Sequence, residues 1–153
     1  MGSTYEISCR KCDYRKWFSV GIGMMYSPEN LINFRSQFGL LPSLIRSKKT
    51  VDIIKGLLRE KNAIIADNYG HAIYCCPKCG EFYERFFMHL DYVGGTFEPE
   101  YKCTKCKKKL KQVNDDLSLE EVLNGKESYL MHYKCPKCGC HFLHGKDGGL
   151  LWD

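Results

Sequence analysis

The stretch Tyr74-Cys75-Cys76-Pro77-Lys78-Cys79-Gly80 lies near the middle of the chain and contains a C-x-x-C unit, called a knuckle below. The chain has three further knuckles, each with lysine before its second cysteine: Cys9/Cys12, Cys103/Cys106 and Cys135/Cys138. Four pairs supply eight thiolates, as many as two tetrahedral sites require, and paired knuckles are typical of structural zinc. The sequence therefore predicts two four-cysteine zinc sites per chain.

The residues around the knuckles differ in how well they fit a sharp turn. The knuckles at Cys76 and Cys135 read C-Pro-Lys-C-Gly. Proline fixes φ near −65° and glycine can take positive φ, so we call these two knuckles ideal. The knuckles at Cys9 and Cys103 lack both residues and are called plain. Plain and ideal knuckles alternate along the chain, which indicates a tandem duplication.

A second internal match supports the duplication. Residues 101–106 read Tyr-Lys-Cys-Thr-Lys-Cys and residues 133–138 read Tyr-Lys-Cys-Pro-Lys-Cys, so they differ at one position in six. The four knuckles and their flanking strands resemble the zinc-ribbon and rubredoxin-like families, in which two knuckles on β-hairpin ends share one metal. The resemblance implies a ribbon fold and a metal, but it does not cover residues 27–62. It implies no single activity, because those families include transcription factors, ribosomal proteins, electron carriers and adaptor domains.

The charge of the chain is a poor argument for a nucleic-acid partner. The formal net charge of the 153 residues is +5. Eight thiolates subtract eight charges and two zinc ions return four, so the metal-loaded protein lies near +1. Each tetrathiolate site is a dianion, and the lysines around the knuckles can neutralise it.

Cysteine usage and hydropathy indicate a reducing, cytoplasmic compartment. Eight of the ten cysteines occur in tight pairs, which favours metal over disulfides. No apolar run approaches the ~20 residues of a membrane helix, and no signal peptide is recognisable. We expect no membrane association.

Residues 27–62 predict a two-helix insert. Ser27-Pro28-Glu29 is a helix start, and this helix is expected to reach about Phe38. Ser47 or Thr50 begins the second helix, whose apolar face consists of Val51, Ile54, Leu57 and Leu58. We expect this insert to cover one side of the ribbon core.

The rest of the chain predicts strands at 5–8, 14–25, 63–66, 71–75, 82–93, 96–102 and 129–134. A capping box at Ser118-Leu119-Glu120-Glu121 predicts one short helix. Gly21-Ile22-Gly23 lacks the third glycine of a dinucleotide fingerprint and favours a bulge or close packing over phosphate binding.

We therefore predict a small, β-rich α+β fold of two zinc ribbons, with residues 1–100 (including the insert) as the first ribbon and 101–153 as the second. The expected ligand sets follow the sequence: Cys9, Cys12, Cys76 and Cys79 on one ion, and Cys103, Cys106, Cys135 and Cys138 on the other. A tight hairpin at Gly94-Gly95 would place Cys103 opposite about Phe86, far from Cys79. The alternative scheme pairs Cys76/Cys79 with Cys103/Cys106 and leaves the outer knuckles to share an ion.

Three functions fit these features, and no catalytic residue is predicted. The leading hypothesis is a non-catalytic adaptor or regulatory module that binds another protein through aromatic residues around Trp17, Phe18 and Phe82–Phe87. The second is nucleic-acid binding through lysines beside the third knuckle, namely Lys105, Lys107, Lys108, Lys109 and Lys111. The simpler interpretation is that these lysines form a solvated face that screens the thiolates. The third is an electron carrier or enzyme of rubredoxin type, with iron in place of zinc.

Catalysis finds little support in the cysteine pattern. A redox C-x-x-C requires a βαβ context, and catalytic zinc keeps an open position that eight paired thiolates would close. Cys75 is expected to point away from the metal as a buried thiol. Cys140, His141 and His144 could be substitute ligands, but four complete pairs make them unnecessary. The remaining histidines, His71, His89 and His132, lie in no motif.

Overall fold

Ten strands in three antiparallel sheets and three α-helices make up the described part of the chain, residues 2–32, 39–113 and 128–152 of a computed structural model. The strands are β1 Gly2–Cys9, β2 Arg15–Val20, β3 Ile64–Ile65, β4 Gly70–Cys75, β5 Phe82–Phe87, β6 Leu90–Tyr92, β7 Gly95–Phe97, β8 Lys111–Gln112, β9 Ser128–Tyr129 and β10 Leu143–Trp152. The helices are α1 Pro28–Leu31, α2 Leu41–Leu44 and α3 Lys48–Glu60, and a 3₁₀ turn spans Met24–Tyr26. This confirms a small, β-rich fold.

The largest sheet brings the two ends of the chain together. Its strand order is β2-β1-β10-β9, and β1 pairs with β10 from Gly2 opposite Trp152 to Cys9 opposite Leu143. Ile7 and Leu143 lie on its inner side and are almost fully buried. Their cluster includes Phe82 of β5, so this sheet packs against the middle of the chain. The pairing of β1 with β10 decides where the first knuckle lies.

Two smaller sheets divide the region that we predicted as one strand at 82–93. Strand β5 ends at Phe87 and pairs with β4 in a sheet of order β5-β4-β8. After Met88 and His89, β6 joins a different sheet of order β3-β6-β7. The predicted strands at 63–66 and 71–75 exist as β3 and β4, but they belong to different sheets. The predicted strand at 129–134 stops at Tyr129, and a turn follows.

The helical insert is present and covers one side of the β-structure. Ser47 caps α3 by accepting a hydrogen bond from the Thr50 amide at 3.3 Å, as the sequence predicts. Val51 and Ile54 are buried in a cluster that includes Phe86. An additional short helix, α2, lies between the two predicted helices. The first predicted helix is shorter than expected, because α1 ends at Leu31 and Ile32 leaves the helical conformation. Residues 33–38 and the capping box at 118–121 lie outside the described residues.

Gly21 ends β2 and allows two chain segments to approach closely. Its φ is 84°, and it forms two backbone hydrogen bonds with His71, at 2.8 and 2.9 Å. A Cβ atom on Gly70 would lie 2.9 Å from the Gly21 carbonyl oxygen. The Gly21-Ile22-Gly23 segment is therefore a close-packing feature, which confirms that prediction, and the predicted strand at 14–25 is shortened accordingly. Within the described residues, no helix is long and apolar enough to cross a membrane.

Candidate metal centres

The eight knuckle cysteines form two groups of four, each able to hold a metal ion. Site 1 consists of Cys9, Cys12, Cys135 and Cys138, and site 2 of Cys76, Cys79, Cys103 and Cys106. Within each group all Sγ atoms lie within 4.8 Å of one another. All ten cysteines are free thiols.

This grouping contradicts the sequential pairing that we expected. The first knuckle shares its site with the fourth, and the second with the third, as in the alternative scheme. The expected pairing assumed that residues 82–93 form one continuous strand. Because β5 and β6 separate at Met88 and His89, the segment after β7 can return to the second knuckle. Each group takes one knuckle from either side of residue 100, so the groups give no support to a domain boundary there.

The sulfur positions suit tetrahedral coordination. A metal–sulfur bond of about 2.3 Å implies sulfur atoms about 3.8 Å apart in a regular tetrahedron. In site 1 the Sγ distances are 3.7 Å for Cys9–Cys138 and 3.6 Å for Cys12–Cys135. In site 2 they are 3.3 Å for Cys76–Cys106 and 3.5 Å for Cys79–Cys103. These distances far exceed a disulfide bond of about 2.05 Å, so the groups fit a closed tetrathiolate site.

One backbone hydrogen bond recurs in all four knuckles. The amide of the first cysteine donates to the carbonyl oxygen five residues later, at 2.8–3.0 Å: Cys9 to Tyr14, Cys76 to Glu81, Cys103 to Lys108 and Cys135 to Cys140. In the ideal knuckles Gly80 and Gly139 both have φ 73°. In the plain knuckle at Cys103, Lys107 takes the same left-handed conformation at φ 61°. Positive φ after the second cysteine therefore occurs in three knuckles, in one of them without glycine, whereas Asp13 of the first knuckle does not adopt it.

Site 2 is supported by a tyrosine that our sequence reasoning missed. The Tyr83 hydroxyl lies 3.2 Å from Cys103 Sγ and 3.1 Å from the Thr104 hydroxyl. Burial alone would raise the pKa of Cys103, but hydrogen bonds from Tyr83 and from backbone amides outweigh it and lower this pKa to about 6. One thiol of site 2 is therefore mostly ionised at neutral pH, which favours binding of a cation. Tyr83 lies on β5, outside any motif, and only strand pairing could have located it.

Site 1 has a fifth sulfur beside it. Cys140 Sγ lies 3.0 Å from Cys138 Sγ and 3.4 Å from Cys9 Sγ. The hydrogen bond with Cys140 lowers the pKa of Cys138 to about 6, and the same contact raises that of Cys140 to about 11. The four complete pairs make Cys140 unnecessary as a substitute ligand, but the structure places it directly beside site 1.

The other candidate ligands lie elsewhere. Cys75 is buried, and its Sγ approaches the carbonyl oxygens of Cys76 and Gly80 at 3.7 and 3.6 Å. Burial raises its pKa to about 12. His141 contacts the Met131 carbonyl oxygen at 3.0 Å, and His144 contacts the Ser8 hydroxyl at 3.1 Å. None of these three side chains belongs to either ligand group.

Several lysines near the knuckles pair with acidic side chains. Lys105 pairs with Glu81 at 2.9 Å, and Lys109 pairs with Glu100. Lys107 donates to the Thr104 carbonyl oxygen at 3.0 Å. At site 1, Lys137 pairs with Asp13 at 2.5 Å. Several of these charges therefore have acidic partners close to the thiolates.

A groove of about 1,120 Å³ lies beside the third knuckle. Its lining combines lysines with aromatic side chains: Lys49, Lys102, Lys109, Lys111, Tyr74, Phe87, Phe97 and Tyr101. Glu98 and Glu100 also line it. Of the five lysines predicted to bind nucleic acid, Lys109 and Lys111 lie on this groove, whereas Lys105, Lys107 and Lys108 do not.

The aromatic surface predicted to bind a protein is largely buried. Phe18, Phe82 and Phe86 are at most 2 % exposed and belong to the hydrophobic clusters. Trp17 is 51 % exposed on the opposite face of β2. The prediction was wrong for these three phenylalanines because alternate residues of a strand point to opposite faces of its sheet, whereas Phe87 is half-buried and lines the groove.

No family model matches this chain, and no curated protein or solved structure matches it significantly.

Proposed function

We propose that this is a non-catalytic zinc protein with one structural zinc ion in each four-cysteine site, ligated by the eight knuckle cysteines. The observation that carries the proposal is the gathering of those thiols into two tetrahedral groups. Four thiolates complete the coordination of zinc, so neither site offers the open position of a catalytic ion. In each site two of the four cysteines are buried, as expected where the metal replaces part of the hydrophobic core.

The test is to measure bound metal and its contribution to folding. Purified protein should carry two zinc ions per chain by elemental analysis. Removal of zinc by a strong chelator should abolish near-ultraviolet circular dichroism and protease resistance, and added zinc should restore both. A metal-free protein that keeps its dichroism and protease resistance would overturn the structural role. A red protein that contains iron would instead support the rubredoxin-like alternative, since zinc tetrathiolate is colourless.

For the biological role we propose an adaptor whose partner is another protein, bound at the face of the large sheet that carries Trp17. Glu6 lies opposite both Trp17 and Lys146 in the strand register, so these three residues share that face. Glu6 itself is buried beneath it, and Lys146 lies 3.7 Å from its carboxylate. Trp17 is half exposed, and a Cβ atom on Gly148 would lie 2.7 Å from its ring. An exposed tryptophan that packs against a glycine and has charged residues beside it is typical of the centre of a protein-binding surface.

Site-specific photocrosslinking tests this role. A photoreactive phenylalanine analogue at position 17 should capture a defined protein in cells, whereas the same analogue at Val93, which is 93 % exposed, should not. Trp17→Ala should weaken binding of the purified partner while leaving the zinc content unchanged. Equal capture from both positions, or none from position 17, would contradict the adaptor proposal.

A second candidate, nucleic-acid binding, is favoured by the groove beside the third knuckle. Lysines there could neutralise phosphates, and Phe97 and Tyr101 could stack on bases. The pairing of Lys109 with Glu100 and the presence of Glu98 on the same groove weigh against it. RNA or DNA adducts from a photoreactive residue at position 97 would favour this candidate over the adaptor.

A further inference from the structure

Site 1 contains one more thiol than a tetrahedral ion can use. Cys140 Sγ lies 3.0 Å from Cys138 Sγ and 3.4 Å from Cys9 Sγ. Cys140 is half-buried and is not part of the group whose sulfur atoms all lie within 4.8 Å of one another. It therefore lies against one edge of the tetrahedron, the edge between Cys9 and Cys138.

Site 2 has no such thiol, although its ideal knuckle has the same sequence and the same turn. The amide of Cys76 donates to the Glu81 carbonyl oxygen at 2.9 Å, and that of Cys135 donates to the Cys140 carbonyl oxygen at 2.8 Å. The glycine that follows each knuckle has φ 73°. Residues 81 and 140 therefore hold equivalent positions in matching turns. At site 2 this position is a glutamate that pairs with Lys105 at 2.9 Å.

We infer that Cys140 is an alternative ligand of site 1 that can take the coordination position of Cys138. This inference rests on zinc occupying site 1 as proposed above. Cys9 is the neighbour common to both positions, at 3.7 Å from Cys138 and 3.4 Å from Cys140, and either distance is close to the tetrahedral value of about 3.8 Å. Cys138 is the exposed ligand of site 1, so its replacement disturbs the least packing.

The exchange balances without an added reactant. The bond between zinc and Cys138 sulfur breaks, and a bond between zinc and Cys140 sulfur forms. The proton of the Cys140 thiol passes to the Cys138 thiolate over the 3.0 Å that separates the two sulfur atoms. Four thiolates and one neutral thiol are present before and after, so neither the charge of the site nor its ligand number changes.

Removal of the equivalent ligand from each site tests the inference. Cys138→Ala should retain two zinc ions per chain, because Cys140 completes site 1. Cys79→Ala is the matched control, and it should retain one, because site 2 has Glu81 in place of the extra thiol and that carboxylate is held by Lys16 at 3.6 Å and Lys105 at 2.9 Å. Cys140→Ala should retain two, and Cys138→Ala/Cys140→Ala should retain one. Cobalt substituted into Cys138→Ala should keep the sulfur-to-cobalt charge-transfer intensity of four thiolates per ion.

A transplant tests the equivalence of the two turns. Adding Glu81→Cys to Cys79→Ala should restore the second zinc ion. If Cys138→Ala holds one zinc ion, as Cys79→Ala does, the inference fails while the proposed function stands. If the wild-type protein holds no zinc, the proposed function itself fails.

The unmodified protein provides an independent measurement should a variant not fold. Brief alkylation of zinc-loaded wild-type protein should add one label to the peptide that contains Cys138 and Cys140. Fragmentation by mass spectrometry should find that label on Cys138 in some molecules and on Cys140 in others. A label found on Cys140 alone would overturn the inference, because Cys138 would then be a permanent ligand.

Discussion

Replacing Tyr83 with phenylalanine should weaken metal binding at site 2 and leave site 1 unchanged. The substitution removes one hydroxyl, which lies 3.2 Å from Cys103 Sγ and 3.1 Å from the Thr104 hydroxyl. The ring itself should stay in place, since the Arg85 guanidinium lies 4.9 Å from its centroid and needs no hydroxyl for that contact. The variant therefore removes a hydrogen bond to a thiolate with little other change.

The expected loss follows from the charge of the acceptor. A hydrogen bond to a charged group contributes about 1.5–3 kcal/mol, roughly twice the value for a neutral pair. Because Tyr83 is only half-buried, the lower end of that range applies. About 1.4 kcal/mol corresponds to tenfold in an equilibrium constant, so we expect zinc affinity at site 2 to fall by about tenfold, within the range known for residues that support metal ligands.

A chelator competition that reports each site separately measures this change. Protein is equilibrated with graded chelator, alkylated briefly, and digested, and the label is quantified on peptides that contain Cys103 or Cys9. Tyr14→Phe is the matched control beside site 1. The Tyr14 hydroxyl is buried and has no hydrogen-bond partner among the described residues, so its removal should leave both affinities unchanged and stabilise the fold by about 1 kcal/mol.

Two results would contradict this prediction. If Tyr83→Phe leaves unchanged the chelator concentration at which Cys103 is half labelled, the hydroxyl does not stabilise the thiolate. If it lowers this concentration equally for Cys103 and Cys9, the substitution acts on the whole fold rather than on site 2.

Three further predictions concern the turn glycines, the lysines and one histidine. Gly80→Ala and Gly139→Ala should each lower the free energy of unfolding by about 1–2 kcal/mol, because both positions have left-handed backbone. The loss should be larger for Gly80→Ala, because its Cβ would lie 3.2 Å from the Lys134 carbonyl oxygen. Equal losses for the two variants in urea unfolding would contradict an effect of this contact. Replacing the lysines at 107–109 with alanine should lower metal affinity slightly and should change neither the affinity for single-stranded RNA nor its dependence on salt. If the wild-type protein binds single-stranded RNA at submicromolar concentration in physiological salt and this variant does not, the nucleic-acid candidate is favoured. Hydrogen bonds with two carboxylates raise the pKa of His89, so its stabilising effect should be full below about pH 6.5 and disappear as pH rises through the raised pKa; the melting temperatures of wild type and His89→Gln should therefore converge at alkaline pH.

The knuckles could be predicted from the sequence because their chemistry is local. The turn needs only the residues between one cysteine and the fifth residue after it, and all four turns form as the spacing indicates. The cap at Ser47 and the close packing at Gly21 are local in the same sense. Such features depend on backbone conformation over a few residues, which the side chains of those residues largely determine.

The pairing of knuckles could not be predicted, because it depends on which strands pair over long separations. Alternation of plain and ideal knuckles is satisfied by either scheme, since each site of the structure also combines one plain and one ideal knuckle. What decides the pairing is the break at Met88 and His89 and the long ladder between β1 and β10. The sequence at 82–93 shows no proline or glycine that would mark the break. The aromatic residues predicted to be exposed are buried for a related reason: which face of a strand is buried depends on how its sheet packs against other elements.

The two sites differ in how much chain they close, and this has a consequence for folding. Sulfur contacts join residues 24 and 30 apart at site 2, but 123 and 129 apart at site 1. Loop closure costs about 0.6 kcal/mol for each doubling of length, so a roughly fourfold longer loop costs about 1.2 kcal/mol more. Site 2 can therefore form early, around the β4–β5 hairpin and the segment that leads to β8. We expect site 1 to form later, because the ladder between β1 and β10 carries Cys9 to the start of β10. A metal ion bound in site 1 would then mark a completed fold, and Cys140 lies beside that later site.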